Sequence, residues 1–235
     1  MGGGVLTNLG LGEEKFSGRL LNVRRFTKSG TYTPGEGVKS IIVEVQAAGG
    51  SGGNVPDMPA GQAAAGSGGG AGAYAKVRIT DKALFSSVTL SIGKGGSAPN
   101  IGMPGINGGN TFFGNLINCP GGTGGGHGRA LTGAGTSSAN GHNTEPPTIS
   151  PQCEVLVSLT GEAGGNGLVL NQDTSLAGAG GCSPFGTGGH APTSPGARTA
   201  YGYGAGSSGA NGQALTTAQV GLPGMDGIIV VWEYA

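Results

Sequence analysis

The sequence predicts an all-β fold: an antiparallel β-sandwich with an inserted bundle of polyglycine II helices and few or no α-helices. Three observations lead there. Several segments alternate apolar and polar residues with period two, the mark of half-buried strands. Glycine supplies 55 of 235 residues and is gathered into separate clusters. A further apolar stretch, Ile228-Ile229-Val230-Val231-Trp232, ends the chain, so strands enclose the glycine-rich centre.

A glycine content about three times the usual one reads first as low complexity or disorder. The rest of the composition opposes that reading, because 36% of residues are hydrophobic and only 10% charged, whereas disordered chains are poor in apolar residues and rich in charge. Something here folds.

Taken in order, Val5 to Lys15 carries leucines at 6, 9 and 11. It suits one or two helical turns, too few to be stable alone, and residues 1–18 read as a junction to an upstream segment or a symmetric partner. Leu20 to Thr27 and Gly30 to Thr33 flank a turn at Lys28-Ser29-Gly30, and Pro34-Gly35 marks a second turn. In the segment from Ser40 to Ala48, Ile41, Val43, Val45 and Ala47 share one face. Ala75, Val77 and Ile79 do the same in the next strand, and Val88, Leu90 and Ile92 in the one after. The terminal segment is apolar on both faces until Glu233, as a central strand would be. Cys153 to Leu159 reads as one more buried strand, with no role in contacts. Residues 19–235 form one glycine-rich domain in this reading, with sandwich strands at about 19–95 and 226–235 and the glycine-rich region at about 96–225.

Glycine clusters recur at 49–53, 66–72, 93–96, 102–109, 121–128, 161–167, 178–181, 186–189 and 202–212. A glycine run can form the threefold extended helix, which has no internal hydrogen bonds. Alone it leaves every amide and carbonyl unpaired, which burial penalises. Several runs side by side can bond one another, and only glycine permits that approach. Many clusters joined by turns suit a bundle of antiparallel helices of this kind; a linker needs one. No strict triplet period is visible.

Charge excludes some functions. Twelve acids balance twelve bases, which leaves no electrostatic footprint for nucleic acid or an anionic membrane. Cys119, Cys153 and Cys182 are widely spaced and odd in number, so they read as three small buried side chains rather than a disulfide or metal framework. Met1 is followed by Gly2-Gly3-Gly4 instead of a signal sequence, and no apolar run approaches a spanning helix. The expectation is a soluble product made in a cytoplasm, without membrane insertion. Gly66-Ser67-Gly68-Gly69-Gly70-Ala71 fits a dinucleotide-loop template, but about three chance matches are expected at this glycine content, and it precedes a strand rather than a helix. His127, His142 and His190 form no metal spacing. Glu145, Glu154, Glu162 and Asp173, the acids between 100 and 220, show no local pairing of the glycosidase kind. No enzyme activity, cofactor or metal is expected.

The resemblance lies in ordered segments along nearly the whole chain. Arg19 to Pro34 (RLLNVRRFTKSGTYTP), Lys39 to Gly50, Gly68 to Ala75, Val88 to Gly96, Asn107 to Gly114 and Gly227 to Tyr234 together resemble the glycine-rich C-terminal domain of bacteriophage and prophage tail fibres. Leu9-Gly10-Leu11-Gly12-Glu13 is similar to a phrase of the upstream shafts. The resemblance implies a fibre tip on the virion that binds an outer-membrane protein or lipopolysaccharide of a Gram-negative host. It also implies an upstream tail-fibre shaft and a homotrimer. The adhesins of T-even-type long tail fibres, built on polyglycine II helices, are a related comparison; this chain departs from them in joining its glycine-rich part to a sandwich.

Receptor contacts are expected where other residues interrupt the glycine clusters, at 54–60, 136–151 and 183–203. The second stretch holds His142 and Asn143; the third holds Phe185, His190, Arg198, Tyr201 and Tyr203. Tyrosine and arginine dominate interface energetics, and proline stiffens such loops before binding. The rival reading is a structural domain that caps or trimerises the fibre without touching the receptor. A fibre hydrolase and a glycine-rich extracellular domain of eukaryotic type are weaker alternatives.

Overall fold

A computed structural model describes residues 18–138 and 145–235. Ten strands form its sandwich: β1 Leu20–Phe26, β2 Gly30–Tyr32, β3 Ser40–Gln46, β4 Tyr74–Ile79, β5 Val88–Ser91, β6 Thr111–Phe113, β7 Ile117–Cys119, β8 Thr148–Ile149, β9 Glu154–Leu159 and β10 Ile228–Tyr234. They make two five-stranded antiparallel sheets, ordered β1-β10-β3-β4-β9 and β8-β7-β6-β5-β2. A four-residue helix, α1 Lys82–Phe85, crosses between the sheets; Asp81 caps it by accepting from the Ala83 amide at 2.9 Å.

The alternation read from the sequence becomes the core. Ile41, Val43 and Val45 of β3, Ala75, Val77 and Ile79 of β4, and Ile229 and Val231 of β10 are fully buried. They face Tyr32, Val88, Leu90, Phe113, Ile117 and Cys119 of the second sheet. Burial pushes the Cys119 thiol up to about 12, so it packs as a small apolar group. The β10 strand lies between β1 and β3, as its two apolar faces foretold. Glu233 is the exception, a carboxylate only 1% exposed. It accepts from the Tyr32 hydroxyl at 2.9 Å and the Gly35 amide at 3.2 Å, with the Arg24 guanidinium 3.7 Å away. Those donors compensate its burial.

Beyond β3 the chain stays extended through 47–55, and every residue there is buried. The amides of Ala47, Gly50 and Gly53 donate to Ala73, Gly70 and Ser67 at 3.0, 2.9 and 2.9 Å. Those of Ala48 and Ser51 reach Gly109 and Ile106, and those of Gly49, Gly52 and Val55 reach Met225, Leu222 and Gln219. Every third amide therefore addresses the same neighbour, as in a threefold polyglycine II helix. The carbonyls are met in turn by three further segments, through the amides of Gly122, Gly125 and Gly128, of Ser207 and Ala210, and of Gly96. Segment 47–55 is thus ringed by six neighbours. A Cβ on Gly50 would stand 2.1 Å from the carbonyl oxygen of Thr123, and one on Gly52 1.8 Å from that of Ser208. Only glycine fits.

Two expectations change here. The bundle is not purely antiparallel, because 122–128 and 205–210 run parallel to 47–55 while 67–73, 106–109 and 219–225 run against it. A threefold helix bonds through separate single contacts, so either direction serves. The triplet period also exists, but in the hydrogen bonds. Side chains interrupt it in sequence by acting as acceptors, as when the Ser67 hydroxyl takes the Gly126 amide and Asn107 Oδ1 takes that of Gly124. Sandwich and lattice interleave along the chain, since 47–55 and 66–73 belong to the lattice and β6 to β9 to the sandwich.

Candidate functional site

The lattice gives the domain a long axis. Gly18 donates to the Ala235 carbonyl at 2.7 Å, which places both ends of the described chain at the sandwich end remote from the lattice. The connections 54–64, 97–104, 127–134, 167–176, 191–197 and 211–220 gather at the opposite pole. They are tied together closely. Val55 bridges to Gln219 and Ala63 to Leu131, Met58 donates to the Thr216 carbonyl at 2.8 Å, and the Asp57 carboxylate accepts from the Ala218 amide at 2.8 Å. Val55, Met58, Ala64 and Ala210 make a small apolar core beneath them. His127 Nδ1 contacts Asn54 Oδ1, and Asn54 Nδ2 donates to the Asn100 carbonyl at 2.5 Å. Burial holds the His127 imidazole below its ordinary pKa, against the opposing effect of a hydrogen bond with the Asn54 backbone.

Leu215 stands out on this pole. It has φ +63°, the sole positive value at a non-glycine among the described residues, and it is 78% exposed. A leucine in the left-handed region is strained. The surrounding turn enforces it: the Gln213 amide donates to Thr216 Oγ1 at 3.1 Å, Thr216 Oγ1 donates to the Gln213 carbonyl at 2.7 Å, and the Leu215 amide donates to Met58 at 3.1 Å. Residues held in sparsely populated backbone regions cluster at functional sites, which makes this exposed side chain a candidate contact. Ile101, Met103, Leu168, Leu170 and Val220 are exposed at the same pole. An end surface of this kind can bind an apolar partner through side chains that are already fixed.

Residues 26–232 match the model of a family described as a glycine-rich domain. The chain belongs to that family. Among curated proteins, none is detectably similar to it. The match runs from the end of β1 into β10, so the glycine-rich domain comprises sandwich and lattice together.

Within the glycine-rich domain the residues singled out from sequence divide by position. Tyr201 and Tyr203 lie with Phe185 on a hairpin, Gly186–Thr187 paired with Tyr201–Gly202, at the waist beside the sandwich. Tyr203 donates its amide to the Phe185 carbonyl, and the Phe185 ring packs on Tyr74 with centroids 6.0 Å apart. Tyr201 is 73% exposed. Arg198 sits midway along the lattice, its amide donating to the Ser208 hydroxyl at 2.7 Å, and His190 is exposed on the same segment. His142 and Asn143 lie outside the described residues. The structure therefore brings Phe185, Tyr201 and Tyr203 together on a flank, away from the pole. Sequence reasoning missed Leu215 and the other polar-end aliphatics. Single leucines and isoleucines in loops carry no signal until the fold shows them uncovered.

Other readings are corrected. The strand 154–159 is not buried: β9 is an edge strand in which Val155, Leu156, Val157 and Leu159 are 50, 43, 37 and 46% exposed. Apolar content marked it as a strand but could not reveal that nothing covers it. Cys119 and Cys153 are buried as expected, whereas Cys182 is exposed, its sulfur accepting from the Gly188 amide at 3.3 Å. The glycine run 66–72 has its amides engaged by neighbouring carbonyls, the opposite of an open phosphate cradle. Glu154 pairs with Arg78 at 2.6 Å and Glu162 accepts from the Cys182 amide at 2.7 Å. Among the described residues no helix is long and apolar enough to cross a membrane.

Proposed function

We propose that this glycine-rich domain is the receptor-binding tip of a bacteriophage tail fibre, which attaches the virion to the outer surface of a Gram-negative host by binding alone. The observation that carries the reading is Leu215, strained and uncovered at the pole opposite Gly18 and Ala235. Sequence resemblance to tail-fibre tips supports the same reading. The sandwich end, where Gly18 meets Ala235, would face the fibre shaft, the lattice would act as a stiff spacer, and the loops at the opposite pole would meet an outer-membrane protein or lipopolysaccharide. Several copies on one virion, as a homotrimer and on several fibres, would raise avidity without new contacts. The domain would be made in the host cytoplasm and act without catalysis or cofactor.

The test is binding of the purified protein to susceptible cells and to mutants lacking individual outer-membrane proteins or lipopolysaccharide sugars. Loss of binding on one mutant is expected. Leu215→Asp is expected to weaken binding about tenfold or more, the scale of an interface anchor. Undiminished binding of that variant would contradict the reading.

One observation favours a second reading, in which the domain caps or trimerises the fibre: the exposed apolar edge β9. Replacing Val155 and Val157 together by Ser separates the two. A fall in oligomer mass by sedimentation, with host attachment unaffected by changes at the pole, would favour the structural role.

A further inference from the structure

The first sheet ends in β9 on one side and in β1 on the other, and the two edges are complementary. Every residue of β9 is exposed, Val155, Leu156, Val157 and Leu159 among them. In β1, Leu20 and Val23 are uncovered to a similar degree. An open edge presents unpaired amides and carbonyls, and proteins usually guard it with charge, proline or a covering element. β9 has no proline and a single charge, Glu154. Each strand has a bulge, between Leu20 and Asn22 and between Val155 and Val157, followed by a regular run, 22–26 in β1 and 157–159 in β9. Exposure alone does not say what covers β9.

Charge and strand direction do. Residues 19–28 carry Arg19, Arg24, Arg25 and Lys28 and no acid, whereas β9 carries Glu154 and no base. Arg78 bonds Oε2 of Glu154, from Nε at 2.7 Å and Nη2 at 2.6 Å, so Oε1 stays available to a second cation. Setting β1 against another β1 would oppose cations, which disfavours that pairing; unlike edges bring acid to base. Followed across the sheet, Val23 lies level with Glu154 and Arg25 with Val157, all on the outer face. The same ladder shows that β1 and β9 both run from the Gly18–Ala235 end toward the lattice. Copies standing side by side, poles pointing the same way, therefore present β1 parallel to β9. A symmetric β9–β9 ladder would be antiparallel and would turn the poles opposite ways.

The geometry points to a second copy of this chain as the occupant: β9 of one copy pairs in parallel with β1 of the next. Val157 and Leu159 then pack beside Leu20 and Val23 of the next copy, and the first sheet continues from copy to copy. A head-to-tail interface of this kind closes into a ring where its rotation permits. The inference rests on the tail-fibre reading for the number of copies alone, and the pole at Leu215 plays no part in it.

The experiment is sedimentation equilibrium of the full chain and of variants damaged at one edge each, alone and mixed. Val23→Glu spoils β1 by placing an acid level with Glu154, and Val157→Lys spoils β9 by placing a cation level with Arg25. Leu20→Glu and Leu159→Lys form an independent second pair. All four positions are exposed, and unchanged amide shifts of 47–55 are the check on folding. The unaltered chain is expected as a closed trimer, and each variant alone as a monomer at the same concentration. An equimolar mixture of Val23→Glu and Val157→Lys should sediment as a dimer, because the intact β9 of the first meets the intact β1 of the second. A monomeric unaltered chain would overturn the proposal, as would a mixture of folded variants without dimer. So would self-association of Val23→Glu beside a monomeric Val157→Lys, the mark of a β9–β9 pair. No host receptor enters the experiment, so its failure leaves the reading of the pole untouched.

Discussion

Val43 and Gly50 lie seven residues apart on one continuous extended stretch, and both are wholly buried. In the sandwich Val43 is opposed by Val77 on one side and Val231 on the other, and its side chain supplies the apolar area that drives burial. In the lattice Gly50 has no side chain to bury. Its amide donates to Gly70 and its carbonyl accepts from Ser207, and the gain is main-chain pairing at the entropic cost peculiar to glycine. The two regions therefore tolerate change differently. A side-chain core adjusts to swaps of similar volume, whereas Gly50 and Gly52 have neighbouring backbone where a Cβ would stand and cannot admit one carbon.

The largest effect should follow from that carbon. Gly50→Ala places a Cβ 2.1 Å from the backbone oxygen of Thr123, so a segment ringed by six neighbours must move. A loss of more than about 4 kcal/mol is expected in denaturant unfolding. A loss below about 1 kcal/mol would break the contrast between the regions. Next in size, Ile229→Ala in the sandwich should cost about 2–5 kcal/mol through its cavity, and leave a folded protein that still binds cells.

A third change separates stability from contact at the pole. Leu215→Gly relieves the positive φ but lengthens the list of unfolded conformers, so stability should move by less than about 1 kcal/mol. Cell binding should nonetheless fall as for Leu215→Asp. Equal losses in both would make Leu215 a structural residue.

The fold was legible in sequence where a side chain has one periodic task. Ile41, Val43, Val45 and Ala47 announced a face, and the paired apolar faces of 228–232 announced a central position. The glycine lattice was legible as a composition, but its threefold rule was hidden because Ser67 and Asn107 replace main-chain acceptors with side-chain oxygens. The exposure of Val155 and Leu156 was not legible, since a strand's sequence does not say whether a second sheet lies over it. The candidate site was the least legible part. Sequence reasoning sought tyrosine, histidine and arginine in loops and found Tyr201 on the waist, while the strained residue at the pole is an ordinary leucine.

Smaller effects sharpen the comparison. His127 closes the polar end of the lattice, and its folded pKa lies below the ordinary 6.5 because burial disfavours the cation. The unfolded chain thus binds a proton before the folded one does, so this contribution to stability is complete above pH 6.5 and declines as pH falls through and below that value. After correction for intrinsic rates, amides at Asn54 and Gly128 should exchange faster at pH 5 than at pH 7.5, and His127→Gln should abolish the difference. Smallest of all, a Cβ on Gly30 in β2 meets nothing within 4 Å, so Gly30→Ala should be neutral or stabilising by about 0.4–1 kcal/mol.

The central claim is that main-chain bonds between neighbouring glycine-rich segments make a region poor in side chains as firm as a packed core. Native-state amide exchange tests it most directly, by comparing residues 47–55 and 66–73 with residues 228–234 of β10. Protection of the glycine segments equal to that of β10 is the expected result. Exchange in 47–55 at the rate of an unstructured peptide, beside a protected β10, would contradict it.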